Sequence, residues 1–87
     1  MIFVRFHRNF EKQYKKLKVK EKDKFKEKID IFLKDEFNPI LNNHPLKGKC
    51  KDYRSVNITG DIRAIYKREI RGRVIFIAID KHSNLYK

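Results

Sequence analysis

The spacing of apolar residues changes half-way along the chain, and this change restricts the fold more than any other feature. Between residues 10 and 35, apolar side chains recur every three or four positions, which is the spacing of one helix face. Residues 53–80 instead hold three runs rich in β-branched and aromatic residues, separated by glycine-containing breaks. A chain of 87 residues has room for one core, so both parts must pack together. The sequence predicts a single α+β domain that spans residues 1–87.

The breaks between these runs set the predicted order of elements. A strand at residues 2–6 is followed by Asn9, which is suited to cap a first helix. A second helix follows a weak break near residues 18–20 and ends before Asn38-Pro39. The aperiodic stretch at residues 38–52 is predicted to be a loop. The three later runs, residues 53–59, 62–68 and 73–80, would pair as neighbours. The expected fold is an N-terminal strand, a two-helix hairpin and a three-strand antiparallel meander.

The charge of the chain points to polyanionic partners. Lysine and arginine number 23 against 11 acidic residues, which gives a formal net charge of +12. With 40% apolar residues, the chain is too hydrophobic to be a disordered basic tail, so this charge lies on a folded protein. Residues 37–87 hold 11 basic and only 4 acidic side chains, whereas residues 1–36 hold 12 and 7. A positive field of this kind attracts nucleic acid without selecting a sequence.

The sequence contains no segment suited to a membrane or to export. Its longest apolar run, residues 74–79, is far shorter than the roughly 20 residues that span a bilayer. Arg5 and Arg8 follow Met1 too closely for the apolar core of a signal peptide. The single cysteine, Cys50, allows no internal disulfide, which fits a reducing compartment. We therefore expect a cytoplasmic protein.

Side chains alternate between the two faces of a strand, so the predicted strand at residues 62–68 has one apolar and one basic face. Its even-numbered positions up to 66 are apolar and are assigned to the core, whereas Arg63, Ile65 and Lys67 point to the opposite face. If Arg68 pairs with Arg73 in the last hairpin, the register places Arg63 opposite Ala78.

The same register would bring Asp61, Arg63 and His82 to one end of the sheet. With His44 from the preceding loop, they include the groups needed for RNA cleavage by the ribose 2′-OH: a proton acceptor, a proton donor and a cation that stabilises the phosphorane. Histidine suits such transfers because its ordinary pKa is about 6.5. The same residues also fit structural roles: His44 ordering its loop, His82 capping the last strand and Arg63 pairing with a surface carboxylate.

The histidines and carboxylates are not spaced as metal ligands. No pair of histidines is separated by three residues, and the positive surroundings would disfavour a divalent cation. Nucleophilic catalysis by Cys50 would need a base and an oxyanion hole that the sequence does not indicate. We predict neither a metal nor another cofactor.

Four short motifs occur in a fixed order along the chain. They are His44-Pro45-Leu46-Lys47-Gly48, Tyr53-Arg54, Gly60-Asp61-Ile62-Arg63-Ala64-Ile65-Tyr66 and Asp80-Lys81-His82-Ser83-Asn84-Leu85-Tyr86. Together they resemble the RelE/ParE superfamily of bacterial toxins, most closely the YafQ-like branch of mRNA interferases. The resemblance covers essentially the whole chain and implies the same β-α-α-β-β-β order of elements.

The resemblance implies a ribosome-dependent endoribonuclease that cuts mRNA and is held inactive by a cognate antitoxin. It places the catalytic histidines and aspartate at His44, Asp61 and His82, and the arginine that holds the scissile phosphate at Arg63. As a hypothesis, Asp61 or His44 accepts the 2′-OH proton and His82 protonates the leaving oxygen. A position that is often histidine in this branch is Asn57 here.

Further residues are expected to contact RNA. Arg54 would help Arg63 to stabilise the phosphorane, and Tyr86 would stack on an unpaired base. The full set of expected RNA contacts is Lys47, Arg54, Asn57, Lys67 and Tyr86.

Two other functions remain compatible with the sequence. A ParE-like toxin would keep the fold and poison DNA gyrase, but it has no evident need for His44, Asp61 and His82. A non-catalytic module that binds RNA or the ribosome would need only the charge. In each toxin reading, the antitoxin is expected to present an acidic, amphipathic segment to the basic surface.

Overall fold

The computed structural model describes residues 2–48, 52–70 and 72–85, which form a five-stranded mixed sheet with helices packed on one face. Cys50 and Tyr86 lie outside these ranges. The elements in chain order are β1 (Phe3–Phe6), α1 (Arg8–Lys15), α2 (Val19–Lys34), a 3₁₀ helix (Pro39–Leu41), β2 (His44–Pro45), β3 (Tyr53–Asn57), β4 (Ile62–Ile70), β5 (Arg73–Lys81) and α3 (His82–Leu85). None of the described helices is long and apolar enough to cross a membrane.

The sheet has the strand order β1-β5-β4-β3-β2. Strands β3, β4 and β5 pair antiparallel with their sequence neighbours, as the sequence predicted. β1 adds to the edge of β5 in parallel, and β2 adds to the edge of β3 in antiparallel orientation. The helical hairpin between β1 and β2 thus connects the two edges of the sheet.

The core lies between the helices and one face of the sheet. Phe32 of α2 packs edge-on against Tyr66 of β4 and Phe76 of β5, with ring centroids 5.0 and 5.4 Å apart. Phe10 and Phe25 extend the same aromatic cluster toward β1. In β4 Ile62, Ala64 and Tyr66 belong to this core cluster. Ile65, expected on the basic face, is also buried but is not part of the cluster. The predicted apolar face of this strand is therefore confirmed.

Three elements were not predicted. The 3₁₀ helix and β2 lie within the stretch expected to be a loop, and α3 follows β5 directly. A strand of two residues is too short to show alternation, and a helix of four residues is too short to show helical periodicity. The prediction also left the first strand without a partner, because a parallel edge pairing has no local sequence signal.

The predicted register of the last hairpin is wrong by two residues at Arg63 and by one residue at Arg68, which pairs with Val74. Ile70, not Arg68, pairs with Arg73, and Arg63 lies opposite Asp80 rather than Ala78. The ladder contains two irregularities, between Ile65 and Tyr66 and between Arg68 and Ile70. Because side chains alternate with period two, a shift of two residues leaves Arg63 on its predicted face.

The cap of α1 also differs from the prediction. His7, not Asn9, is the N-cap, and its Nδ1 accepts a hydrogen bond from Asn9 N over 3.0 Å. Asn9 instead ties α1 to β5, because its Nδ2 donates to Ile77 O over 3.1 Å. Gln13 Oε1 reinforces this link by accepting from Ile79 N over 2.9 Å.

Candidate functional site

The sheet face opposite the helices carries four of the predicted site residues, and we call it the second face. Cross-strand partners lie on the same face, so the register defines its rows. Its rows are His44, Ser55, Ile65 and Ala78; then Asn57, Arg63 and Asp80; and, on the other side, Tyr53, Lys67 and Ile75. His44, Asn57, Arg63 and Lys67 are therefore on one surface.

His44 projects from β2 at the edge of the sheet and is exposed. Its Nδ1 lies 2.8 Å from the carbonyl oxygen of Asn42. A carbonyl oxygen only accepts hydrogen bonds, so Nδ1 carries a proton, and the neutral ring then has its lone pair on Nε2. Asn42 has a left-handed backbone conformation (φ 45°) at the end of the 3₁₀ helix. Neutral His44 thus offers Nε2 as a proton acceptor.

Arg63 is anchored at the turn between β3 and β4. Its Nη1 donates to the carbonyl oxygens of Thr59 and Gly60 over 3.0 and 3.2 Å. Nη1 also donates to Ile62 O over 3.3 Å. Within the described part of the chain, Nε and Nη2 have no hydrogen-bond partner and Arg63 forms no ion pair. The turn therefore fixes the guanidinium while leaving its charge available to an anion.

Asp61 and His82 meet where β4 begins and β5 ends. His82 N donates to Asp61 O over 2.8 Å, which brings the two residues next to each other. Thr59 Oγ1 shapes the adjoining turn by accepting from Asp61 N and Ile62 N. Both Asp61 and His82 are exposed. The structure thus brings Asp61, Arg63 and His82 to the same end of the sheet, which the sequence predicted despite its wrong register.

His44 lies across the sheet from this group, because β3 separates β2 from β4. Strands are about 4.8 Å apart and residues rise about 3.3 Å, which puts the Cα atoms of His44 and Arg63 about 12 Å apart. An extended nucleic acid strand that crosses the second face can contact both positions.

Asn57 ends β3 and lies opposite Arg63. Its Oδ1 is buried and has no hydrogen-bond partner among the described residues. A buried acceptor without a partner destabilises a fold by about 1–3 kcal/mol, so folding stability does not account for an amide at this position.

Two lysines are also among the predicted RNA contacts. Lys67 belongs to the second face, and its Nζ lies 5.8 Å from the centroid of the Tyr53 ring. Lys47 follows β2 and is exposed. Neither lysine forms an ion pair within the described ranges.

The expected place of Arg54 requires correction. Arg54 pairs with the buried Tyr66, so its side chain is on the helix side of the sheet and not beside Arg63. Its Nε donates to Asn43 Oδ1 over 2.7 Å, and its guanidinium lies 5.1 Å from the centroid of the Phe37 ring. The cause is strand alternation: Arg63 pairs with Asn57, which is three residues from Arg54 and therefore on the other face.

A polar network around Glu36 lies on the helix side of the sheet and was not predicted from the sequence. The Glu36 carboxylate is 10% exposed and accepts from Tyr66 Oη over 2.5 Å and from Arg68 Nη2 over 2.6 Å. Burial, and next the hydrogen bond to Glu36, raises the pKa of Tyr66 to about 12. The hydrogen bond to Glu36 also raises the pKa of Arg68. These partners are about 30 residues apart in sequence, so no local pattern indicates the contact.

The described ranges contain no group of three or more His, Cys, Asp or Glu residues that could hold a metal ion.

Asp80, which was not among the predicted site residues, lies in the row of Arg63. Its Oδ1 accepts from Lys81 N over 2.7 Å and from Asn84 Nδ2 over 3.2 Å, so its carboxylate helps to start α3.

A comparison with protein families identifies the chain. The profile described as "Bacterial toxin of type II toxin-antitoxin system, YafQ" matches residues 3–87. The chain belongs to the YafQ family of type II toxins. The resemblance found in the four sequence motifs is therefore confirmed. A search of curated proteins gave no significant match.

Solved structures show the same fold for this YafQ-family chain. YafQ from E. coli strain BL21(DE3) is 19% identical, with 100% of each chain covered and a TM-score of 0.82. The E. coli DinJ-YafQ toxin-antitoxin complex gives 20% identity, coverage of 99% of this chain and 98% of that chain, and a TM-score of 0.79. A YoeB/ParE toxin from Agrobacterium tumefaciens gives 20% identity, 93% and 99% coverage, and a TM-score of 0.77.

Proposed function

We propose that this YafQ-family toxin is an endoribonuclease that cuts mRNA on the ribosome and so inhibits translation. The observation that carries the proposal is the hydrogen bond between His44 Nδ1 and Asn42 O, which leaves Nε2 of the neutral ring as a proton acceptor. Arg63 supports it, because its anchored guanidinium pairs with no described carboxylate.

The proposed reaction is a transfer of the phosphodiester to the neighbouring ribose oxygen. His44 Nε2 accepts the proton of the 2′-OH as that oxygen attacks the adjacent phosphorus. The bond from phosphorus to the 5′ oxygen breaks, and cationic His82 gives its proton to the leaving oxygen. Asp61 is the alternative proton acceptor. The products are a 2′,3′-cyclic phosphate and a free 5′-OH, and the chemistry needs no metal ion.

Arg63 is the cation assigned to the developing charge on the phosphorane. A preorganised donor at such a position typically contributes a factor of about 10² to 10³ to the rate. Lys47, Asn57 and Lys67 would hold the RNA on the second face, and Tyr86, which follows α3 in sequence, would stack on a base. Arg54 takes no part in these contacts, because it lies on the helix side.

The partner that restrains the toxin is proposed to be an antitoxin. The solved E. coli DinJ-YafQ toxin-antitoxin complex supports this assignment by its likeness in fold. With a net charge of +12, this chain would favour a toxin-binding segment that is acidic and amphipathic. Such a complex should weaken as salt is raised, because salt screens surface charges.

The test is to incubate the purified protein with ribosomes and mRNA, map new 5′ ends and identify the terminal groups. Cuts within the reading frame that leave 2′,3′-cyclic phosphate are expected, and His44→Gln should abolish them. His7→Asn is the matched control, because it changes a histidine that caps α1 outside the site.

Two other results would contradict the proposal. Loss of gyrase supercoiling without RNA cuts would identify a ParE-like toxin. Tight ribosome binding with neither effect would identify a non-catalytic module.

A further inference from the structure

The segment that carries His44 is held on the helix side of the sheet by one amide side chain. Asn43 Nδ2 donates to Glu36 O over 3.1 Å and to Tyr66 Oη over 2.8 Å, and Asn43 Oδ1 accepts from Arg54 Nε over 2.7 Å. The carbonyl of Glu36 only accepts and Arg54 Nε only donates, so these partners fix which amide atom points which way. Asn43 therefore has one orientation.

The partners of Asn43 are themselves fixed. Tyr66 is fully buried in β4, and its hydroxyl donates to the carboxylate of Glu36. That carboxylate also accepts from Arg68. Arg54 belongs to the β3 ladder. We call these five residues, Glu36, Asn43, Arg54, Tyr66 and Arg68, the Asn43 network. It joins Glu36, two residues after α2, to strands β3 and β4.

The backbone connects this network directly to the ring of His44. Asn43 lies between His44 and Asn42, whose carbonyl oxygen is 2.8 Å from His44 Nδ1. The Asn42 end is set by the 3₁₀ helix, because Asn42 N donates to Pro39 O over 3.1 Å. β2 has only two residues, so its ladder alone holds the segment weakly. The direction of the Asn42 carbonyl therefore depends on how Asn43 is held.

We propose that Asn43 is a positioning residue for His44. By fixing the peptide between Asn42 and Asn43, it keeps the proton of neutral His44 on Nδ1 and leaves Nε2 as the acceptor on the second face. Arg54 and Tyr66 act by holding Asn43. This inference rests on the proposed function for its effect on RNA cleavage, but the protonation of the ring can be measured without RNA.

The direct test is the tautomer of His44, measured from ring nitrogen shifts in ¹⁵N spectra at a pH where the ring is neutral. The wild type is expected to show the Nδ1–H form. Asn43→Ala should move the ring to the Nε2–H form that histidine prefers in water. Gln13→Ala is the matched control, because it removes an amide that links α1 to β5 over 2.9 Å and should leave His44 unchanged. If Asn43→Ala does not fold, Tyr66→Phe is the substitute variant. It removes only one hydroxyl from the network and should move the tautomer of His44 in the same direction by a smaller amount.

The kinetic test separates positioning from RNA binding. Asn43→Ala should lower kcat by about 10- to 100-fold and change KM by no more than about twofold, because Asn43 acts through His44 and lies on the helix side. Gln13→Ala should keep both constants. A wild-type His44 in the Nε2–H form, or an Asn43→Ala protein with the wild-type tautomer, overturns the inference. If no variant cleaves RNA but the tautomer shifts as expected, the positioning role stands and the proposed function fails.

Discussion

Arg63 and Asp80 face each other in the β4–β5 ladder, yet their side chains form no ion pair. Arg63 Nη1 donates instead to carbonyls of the β3–β4 turn, and Asp80 Oδ1 accepts from Asn84 Nδ2. Each side chain is held by neutral groups, so Asp80 does not neutralise the positive charge of the Arg63 guanidinium. A cation that is fixed in place without a carboxylate partner is suited to bind a phosphate.

Arg63→Gln should reduce mRNA cleavage by about 10²- to 10³-fold, because it removes a preorganised cation from the phosphorane. The free energy of unfolding should fall by only about 1–2 kcal/mol, which is the value of the hydrogen bonds to the turn. Cleavage assays and urea unfolding measure the two effects. Arg8→Gln in α1 makes the same change of charge on an exposed residue and should cleave normally. An equal loss in Arg8→Gln would show that net charge alone matters.

Asn57→Val should stabilise the protein while it weakens RNA cleavage. Valine favours strands. The substitution also removes the buried amide oxygen of Asn57, which lacks a hydrogen-bond partner among the described residues. We expect the free energy of unfolding to rise by about 1 kcal/mol in urea titrations. Asn57→His introduces the histidine that the sequence resemblance leads us to expect at this position and should keep cleavage. A less stable Asn57→Val protein would contradict this account of the amide.

The alternation of Ile62, Ala64 and Tyr66 was sufficient to predict the core face of β4. Period two survives any even shift of register, which explains why Arg63 was assigned to the correct face although its partner was wrong. The irregularity between Ile65 and Tyr66 could not be predicted, because an extra residue in a strand depends on how neighbouring strands twist.

The placement of Arg54 shows where local patterns are insufficient. Arg54 lies two residues before Val56 and four before Ile58, so strand periodicity places it on their apolar face, whereas the Tyr-Arg motif suggested a contact with RNA. Arginine can lie on such a face because its stem packs on apolar groups while its head finds partners, here Asn43 and the Phe37 ring. Those partners come from a loop whose course the sequence did not reveal.

The raised pKa of Tyr66 predicts a loss of stability at alkaline pH. Burial, and then the bond to Glu36, raises this pKa from 10.0 to about 12, so the folded state holds the proton more tightly than the unfolded state. The resulting stabilisation is complete below about pH 10 and disappears as pH rises toward 12, with a limit of about 2–3 kcal/mol. Urea unfolding from pH 9 to 12 should therefore show a steeper decline in the wild type than in Tyr66→Phe. Tyr14→Phe is the control and should follow the wild type. Identical curves for Tyr66→Phe and the wild type would disprove the effect.

Lys67 should contribute one phosphate contact on the second face. The affinity of His44→Gln for single-stranded RNA, measured over a range of salt concentrations, should fall linearly on logarithmic axes, with a slope of about 0.7 per phosphate contacted. Adding Lys67→Gln should reduce this slope by about 0.7, because it removes one contact and the ions that contact releases. Lys34→Gln is the matched control: it removes the same charge from α2, where Lys34 pairs with Asp30 over 3.4 Å. Lys34→Gln should leave the slope unchanged, because Lys34 is distant from the second face and therefore releases no ions from RNA bound there. Equal reductions in both variants would mean that RNA responds to the overall charge of the toxin and not to the second face.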